Sequence, residues 1–265
     1  MNLRQLAENF QTMIFITKKK ILDLLPYLIS LFFIFALWSF LSFLVKSDLI
    51  LPPPLKVFRT LFLLLKTQKF WISVFFTFLR ILISVLISVI LGSLIGILTA
   101  NFKFFDRFFA IPLEIFRSVP VAAFILAAFF WFNSDFLPIF ACVLMTLPVM
   151  AGSVKGGILS TPSQMLFLAK CHNFGFVKTV RYFQWPYAKS SFLEGLYQVF
   201  AMSWKVISAC EILCLPKYAV GSLMQKSQIH LETSEVIAQT IALVFFSMIF
   251  QILLQKIIKM TKNQN

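Results

Sequence analysis

Along this chain apolar residues gather into runs of roughly 17 to 25, the length an α-helix needs to cross a hydrocarbon layer about 30 Å thick. The pattern predicts six crossings, over Leu24 to Val45, Trp71 to Leu98, Ala110 to Phe132, Leu137 to Val154, Phe192 to Leu215 and Val236 to Ile258. The third is interrupted by Glu114, Arg117 and Pro120 and is expected to start as an interfacial helix. Between the fourth and fifth lies the longest non-spanning stretch, the 37 residues from Lys155 to Ser191.

That loop carries its own start and stop signals. In Ser160-Thr161-Pro162-Ser163-Gln164, Thr161 suits an N-cap, Pro162 the first helical position and Gln164 the return bond of a capping box. The helix is expected to run to His172 and stop at Asn173, a residue that tolerates the left-handed conformation of a C-terminal cap. A second short helix, from Phe176 to Gln184, is expected to end at Trp185-Pro186. Met165, Leu166, Phe167 and Leu168 make the first helix too apolar for a solvated loop. They are either packed on the protein's own spans or seated in a partner's groove, and the residues alone leave both open. The expected fold is therefore an all-α integral membrane protein: a single domain over 1–265, about six transmembrane helices and a two-helix loop at 155–191. Between the first two spans, Leu51-Pro52-Pro53-Pro54 delays any helix until after Pro54, and Leu55 to Leu65 reads as a short interfacial helix.

Ser84, Ser88, Gly92, Gly96 and Ala100 recur at every fourth position of the second run. They form one slowly drifting stripe on which another helix backbone can approach closely, from the same chain or from a second copy. Gly92 and Gly96 are expected to accept Ala but not Leu. An ionisable group at bilayer depth costs at least about 2.5 to 3.5 kcal/mol. Arg80, Lys205 and Glu211 are therefore expected either to form ion pairs between helices or to line a path that accepts an anionic or zwitterionic solute. Glu194 lies near the end of its run, where the interface makes it cheap.

Composition agrees on the solvent, with 60% hydrophobic and 13% charged residues, against about 25% charged in a soluble domain. The net charge of +14 raises nucleic acid as a partner, but the Lys and Arg residues divide by topology instead. With the N-terminus inside, fourteen fall in cytoplasmic segments, among them Lys18, Lys19, Lys20, Lys103, Arg107, Lys155 and Lys178, against seven outside. The positive-inside rule then puts both termini, segment 1–20 and loop 155–191 in the cytoplasm and Lys46 to Phe70 outside, with no nucleic-acid partner. Lys18 to Lys20 look like a signal-peptide n-region, but the following run exceeds the roughly 7 to 15 residues of an h-region, so a retained anchor is expected. Cys142, Cys210 and Cys214 fall in spans and Cys171 in the loop, which gives no disulfide framework. Cys171-His172, with the one other His across the membrane, gives no metal site. No G-x-x-x-x-G-K-[ST] occurs. No cofactor and no catalysis are expected on this chain, and ATP hydrolysis would belong to another polypeptide.

The order of motifs over 51–221 resembles the permeases of bacterial ABC importers, and within them the nitrate, sulfonate and taurine branch. The likeness lies in Leu51-Pro52-Pro53-Pro54, Thr77-Phe78-Leu79-Arg80, the Gly92 and Gly96 stripe, Arg117-Ser118-Val119-Pro120 and Phe130-Trp131-Phe132. It continues without a gap from Phe167 to Ile212, through Trp185-Pro186, Gly195, Trp204 and Glu211. The resemblance implies a non-catalytic subunit of the bacterial inner membrane that pairs with a second permease protomer, as a homodimer in the simplest case. It also implies a small solute delivered by an extracytoplasmic binding protein and a separate ATPase docked on the loop helix. In that family the helix carries Glu-Ala-Ala followed three residues later by Gly; here Phe167-Leu168-Ala169 and Asn173 stand in those places. Thr161, Gln164, Met165, Phe167, Leu168, Ala169 and Asn173 are thereby implied as the coupling residues. The alternative, a secondary transporter working alone, would normally carry inverted repeats, and none is visible. An intramembrane enzyme needs convergent acid, base or metal groups, which His172 and His230 on opposite sides do not supply.

Overall fold

The computed structural model describes residues 25–263, with side chains as far as 260. The expected N-terminal segment 1–20, with Arg4 and Lys18 to Lys20, and Leu24 at the head of the first run lie outside the described residues. Among the described residues eleven α-helices follow in order: α1 Leu25–Val45, α2 Pro54–Leu64, α3 Gln68–Asn101, α4 Lys103–Ser118, α5 Val121–Ala128, α6 Leu137–Leu159, α7 Ser163–Cys171, α8 Phe176–Thr179, α9 Trp185–Cys214, α10 Val220–Ile229 and α11 Thr233–Asn263. Among the described residues, α1, α3, α6 and α11 are each long and apolar enough to cross a membrane. The 30-residue α9 has the length, but Lys189, Glu194, Lys205 and Glu211 dilute its apolar character.

The third crossing expected over Ala110 to Phe132 is made of two helices, α4 and α5, which together are long and apolar enough to cross but meet at 99°. Pro120 supplies the reason. It holds Val119 extended, at φ −68° and ψ 127°, and withholds the N–H that would continue the ladder. At eight residues α5 is only about 12 Å long. Pro53 is likewise extended, at φ −66° and ψ 148°, and α2 begins on Pro54, whose missing N–H has no intrahelical partner to lose.

The core is a three-helix assembly of α3, α6 and α9, with α10 and α11 against α9, α2 against α11, and α4 laid onto α3 and α6. α1 stands apart, burying only Ser42 among its residues. It is tied to the polyproline turn by Trp38 Nε1–H to the Pro52 carbonyl (3.2 Å) and Ser42 Oγ–H to the Leu51 carbonyl (2.9 Å).

The small-residue stripe of α3 meets α6 of the same chain. A Cβ on Gly92 would lie 2.7 Å from Met150 Cβ, and one on Gly96 2.8 Å from both the Ala151 carbonyl oxygen and Val154 Cβ. Ser88 Oγ and Thr146 Oγ1 share a 2.7 Å hydrogen bond, and Ser84 Oγ donates back to the Arg80 carbonyl at 2.8 Å. The expectation that alanine is accepted at Gly92 and Gly96 fails, because the colliding atoms are backbone or Cβ atoms that no rotamer change can move away. The α6–α9 contact uses the same device: a Cβ on Gly157 would sit 2.9 Å from Ala188 Cα, and one on Gly195 2.6 Å from Ser153 Cβ.

Gly96→Ala is expected to lower the midpoint of thermal unfolding in detergent, at a cost of about 1 to 3 kcal/mol, and Gly96→Leu to prevent assembly. Gly156→Ala, where a Cβ meets nothing within 4 Å, is expected to leave the midpoint unchanged or raise it. Equal losses in the two alanine variants would show that close helix approach is not what Gly96 provides.

Candidate functional site

Two constellations stand out, one at each end of the bundle. At the end that holds α2 and α10, Arg80 of α3 and Glu211 of α9 are brought together, as the sequence reading allowed. Arg80 Nη1 lies 3.1 Å from Glu211 Oε1 and donates at 2.8 Å to the Tyr218 carbonyl; Nη2 reaches Asp135 Oδ1 at 2.9 Å. Glu211 is fully buried. Its oxygens accept from the Thr77 hydroxyl at 3.0 and 2.9 Å and from the Gly221 N–H at 3.2 Å, while Thr77 Oγ1 accepts from the Val220 N–H at 3.1 Å. Both carboxylate oxygens of Glu211 and both terminal nitrogens of Arg80 therefore have partners, the condition under which a buried charge is tolerated. Gly221 is required here, since a Cβ would come within 2.5 Å of Glu211 Cβ.

Sequence reasoning missed three members of this network. Thr77 stands one turn before Arg80 on the same helix face, and that spacing was a usable signal. Asp135 and Gly221 lie in a turn and at a helix start with no local pattern to mark them. Lys205 does not join the network. It sits six residues, about 9 Å of helix, further into α9 and is exposed. Trp204, beside it, is buried in an aromatic cluster with Phe78 and Phe250 at centroid distances of 6.1 and 5.9 Å.

At the opposite end the loop begins one residue later than the capping box requires. Pro162 is the N-cap, extended at φ −57° and ψ 139°, and no side chain caps the helix. Thr161 is displaced outside the helix with its hydroxyl buried and unpartnered, and Gln164 is exposed, so the expected box does not form. The far end does form as expected. Asn173 is left-handed at φ 52°, its N–H bonds the Lys170 carbonyl and the Phe174 N–H bonds the Ala169 carbonyl, each at 3.0 Å, a Schellman turn. Only Ala169 of α7 is buried; Met165, Phe167 and Leu168 are exposed, Phe167 to 67%.

The second loop helix does not stop at Trp185-Pro186. After α8 a π-helical segment, Val180–Gln184, runs directly into α9, with the Trp185 N–H on the Val180 carbonyl. The wider π turn gives the Pro186 ring room that an α ladder would deny it. Gln184 is buried and exchanges two amide hydrogen bonds with Asn101 at the end of α3, at 2.7 and 3.2 Å. Among the described residues, no three of His, Cys, Asp and Glu gather as a metal site needs.

Residues 92–261 match the family described as "Binding-protein-dependent transport system inner membrane component". Among solved structures, the chain is similar to an amino acid ABC transporter crystallised with histidines, at TM-score 0.58 and 14% identity, covering 71% of this chain and 90% of that one. It is equally similar to the MetNI methionine ABC transporter in inward-facing conformations, at TM-score 0.58 and 15% identity, covering 71% and 92%. At such identities the likeness is one of fold. No curated protein matches the chain.

Arg80→Ala is expected to cost about 3 to 5 kcal/mol by leaving Glu211 as an uncompensated buried charge. The double variant Arg80→Met, Glu211→Leu is expected to recover most of that loss. Thermal unfolding of the purified single and double variants measures the coupling.

Proposed function

Because the chain belongs to the family of inner membrane components of binding-protein-dependent transport systems, we propose that it is the permease subunit of an ABC importer whose helix α7 docks into a groove of a separate ATPase. The observation that carries this reading is the exposure of Phe167, with Met165 and Leu168 beside it, on a helix that buries only Ala169 against its own chain. Large apolar groups at consecutive exposed positions are the signature of a helix-in-groove contact. Phe167 fills the place where the family's motif has an acidic residue, so the matching groove is more apolar than usual. Asn173 and the Schellman turn set the angle at which the helix is presented.

In this reading the α7 end of the bundle faces the cytoplasm and the α2 and α10 end faces outward, as the distribution of Lys and Arg supports. Solute arrives from a binding protein at the outward end, and a second permease protomer completes the path. The motif order from Leu51-Pro52-Pro53-Pro54 to Glu211 favours the nitrate, sulfonate and taurine branch of these permeases.

Phe167→Ala is expected to weaken binding of the purified ATPase by roughly 2 kcal/mol, about thirtyfold in Kd. The unfolding midpoint of the permease should stay constant, since the side chain packs little on its own chain. Equal dissociation constants for the wild type and the variant would refute docking at this residue. For the orientation, Lys178→Cys, with Cys171 replaced by Ser, is expected to escape an impermeant thiol reagent in intact spheroplasts and to react once they are opened.

A further inference from the structure

Where α1 and α2 diverge from the polyproline turn they leave an open groove of about 710 Å³, within the roughly 300 to 1,000 Å³ typical of ligand sites. Phe35 and Phe43 of α1 and Leu55 and Phe58 of α2 give it apolar walls, with Ser39 beside them and Lys46 at its mouth. Phe43 is 72% and Leu55 83% exposed, so the walls have no cover of their own. From Phe35 to the end of α1 at Val45 is about 15 Å of helix, half of a hydrocarbon layer about 30 Å thick. The groove is as deep as one leaflet.

The charges at its mouth are unusual for their place. Segment 46–70 carries Lys46, Lys56, Arg59, Lys66 and Lys69 against Asp48 alone, at the end where the distribution over the whole chain disfavours such an excess. Lys56 is taken by Asp48, at 2.8 Å. Among the described residues no ion pair or hydrogen bond holds the Lys46 ammonium or the Arg59 guanidinium, and both are exposed. Arg59 stands one turn after Leu55, so the two share a face of α2.

We propose that this groove binds one phospholipid with an anionic headgroup, its acyl chain against Phe35, Phe43, Leu55 and Phe58 and its phosphate held by Lys46 and Arg59. The depth fits a chain of a single leaflet, and unpaired cations beside an apolar surface at a membrane interface select negative headgroups. A helix of another protein would answer only the walls; an anionic phospholipid answers the walls and the charges together. Bound there, it joins α1, which buries only Ser42 against the rest of the chain, to α2. The site needs only that the chain lies in a membrane, and the permease reading adds that the leaflet is the outer one.

The test titrates the purified full-length chain, freed of lipid in mild detergent, with dioleoyl phosphatidylglycerol or dioleoyl phosphatidylcholine and counts bound lipids by native mass spectrometry. One equivalent of the phosphatidylglycerol is expected to bind about tenfold more tightly than the phosphatidylcholine, and the double variant Lys46→Gln, Arg59→Gln to lose about that factor. Lys226→Gln, which removes an exposed cation of α10 at the same end, is expected to change nothing. Ser39→Trp fills the groove from an exposed position whose hydroxyl bonds only the Phe35 carbonyl of its own helix, and is expected to abolish the tight equivalent while the unfolding midpoint without lipid is kept. Equal affinity for the two lipids, or an equal loss in Lys226→Gln, would reduce the attraction to diffuse charge and overturn the headgroup site. Tight binding that survives Ser39→Trp overturns the groove, and loss of a dimer mass in that variant would then give the groove to a second copy. Neither the ATPase nor the orientation enters the readout, so its failure is distinct from failure of the permease reading, which the Phe167→Ala titration reports.

Discussion

A buried guanidinium cannot be left without its carboxylate, and that requirement fixes how α3, α9 and α10 meet. In lipid the apolar surfaces of helices gain little by leaving one set of hydrocarbon neighbours for another, so register comes from polar contacts and close packing. Arg80 and Glu211, 131 positions apart in sequence, are joined at 3.1 Å. Sliding either helix by one turn, about 5.4 Å, would strand both charges. The Gly221 N–H and the Tyr218 carbonyl extend the constraint beyond α9, folding the following turn and α10 back over the pair.

Outward from that anchor, the geometry is carried by missing side chains. Gly92 and Gly96 bring α3 onto α6, and Gly157 and Gly195 bring α6 onto α9. The closeness does not come from hydrophobicity, since larger apolar residues would hold the backbones apart. It comes from van der Waals contact between backbones and short hydroxyls, as in the 2.7 Å bond between Ser88 and Thr146. The 34 residues of α3, about 50 Å long, thus run as one rod from Thr77 and Arg80 at one end to Asn101 and its amide partner Gln184 at the other.

Four of the six expected spans, now α1, α3, α6 and α11, were legible because a long apolar run has one meaning in a membrane. The fifth run forms the 30-residue α9, whose charged residues dilute its apolar character, and the third was harder to read because a Pro-interrupted apolar run does not say whether the chain kinks or turns through 99°. The stop at Asn173 was readable from residue type, since few residues accept φ 52°. The start was misread because Thr161 and Gln164 have capping chemistry at capping spacing, and the conformation of Pro162 moved the helix boundary past them. Arg80 and Glu211 announced themselves by cost alone, whereas Asp135 and Gly221 depended on tertiary folding. Lys205, grouped with that pair by composition, separates from it by helix phase: at 100° per residue, six positions turn it about 120° away from the Arg80-facing side of α9.

The join between the loop and α9 decides how a push on α7 travels. Had α8 ended at Trp185-Pro186, flexible chain would lie between the loop and the span, and motion at α7 would be absorbed there. Instead α8, the π segment and α9 are continuous from Phe176 to Cys214, and α7 is joined to α8 through a turn closed by two backbone hydrogen bonds. The π segment is the one place in that line where the ladder is wider than an α-helix, and Gln184 at its end is held to α3 by two hydrogen bonds. Rotation of α9 alone about its axis would draw Glu211 away from Arg80 and Thr77 and carry Gln184 away from Asn101, so a displacement of α7 is resisted at both ends of α9. Movement of α9 together with α3 keeps both links, whereas rupture of the Asn101–Gln184 pair leaves two amides without partners at a cost of about 1 to 3 kcal/mol each. The loop is thereby tied to α3 and α9 as a pair, and motion at α7 is carried by the two helices together.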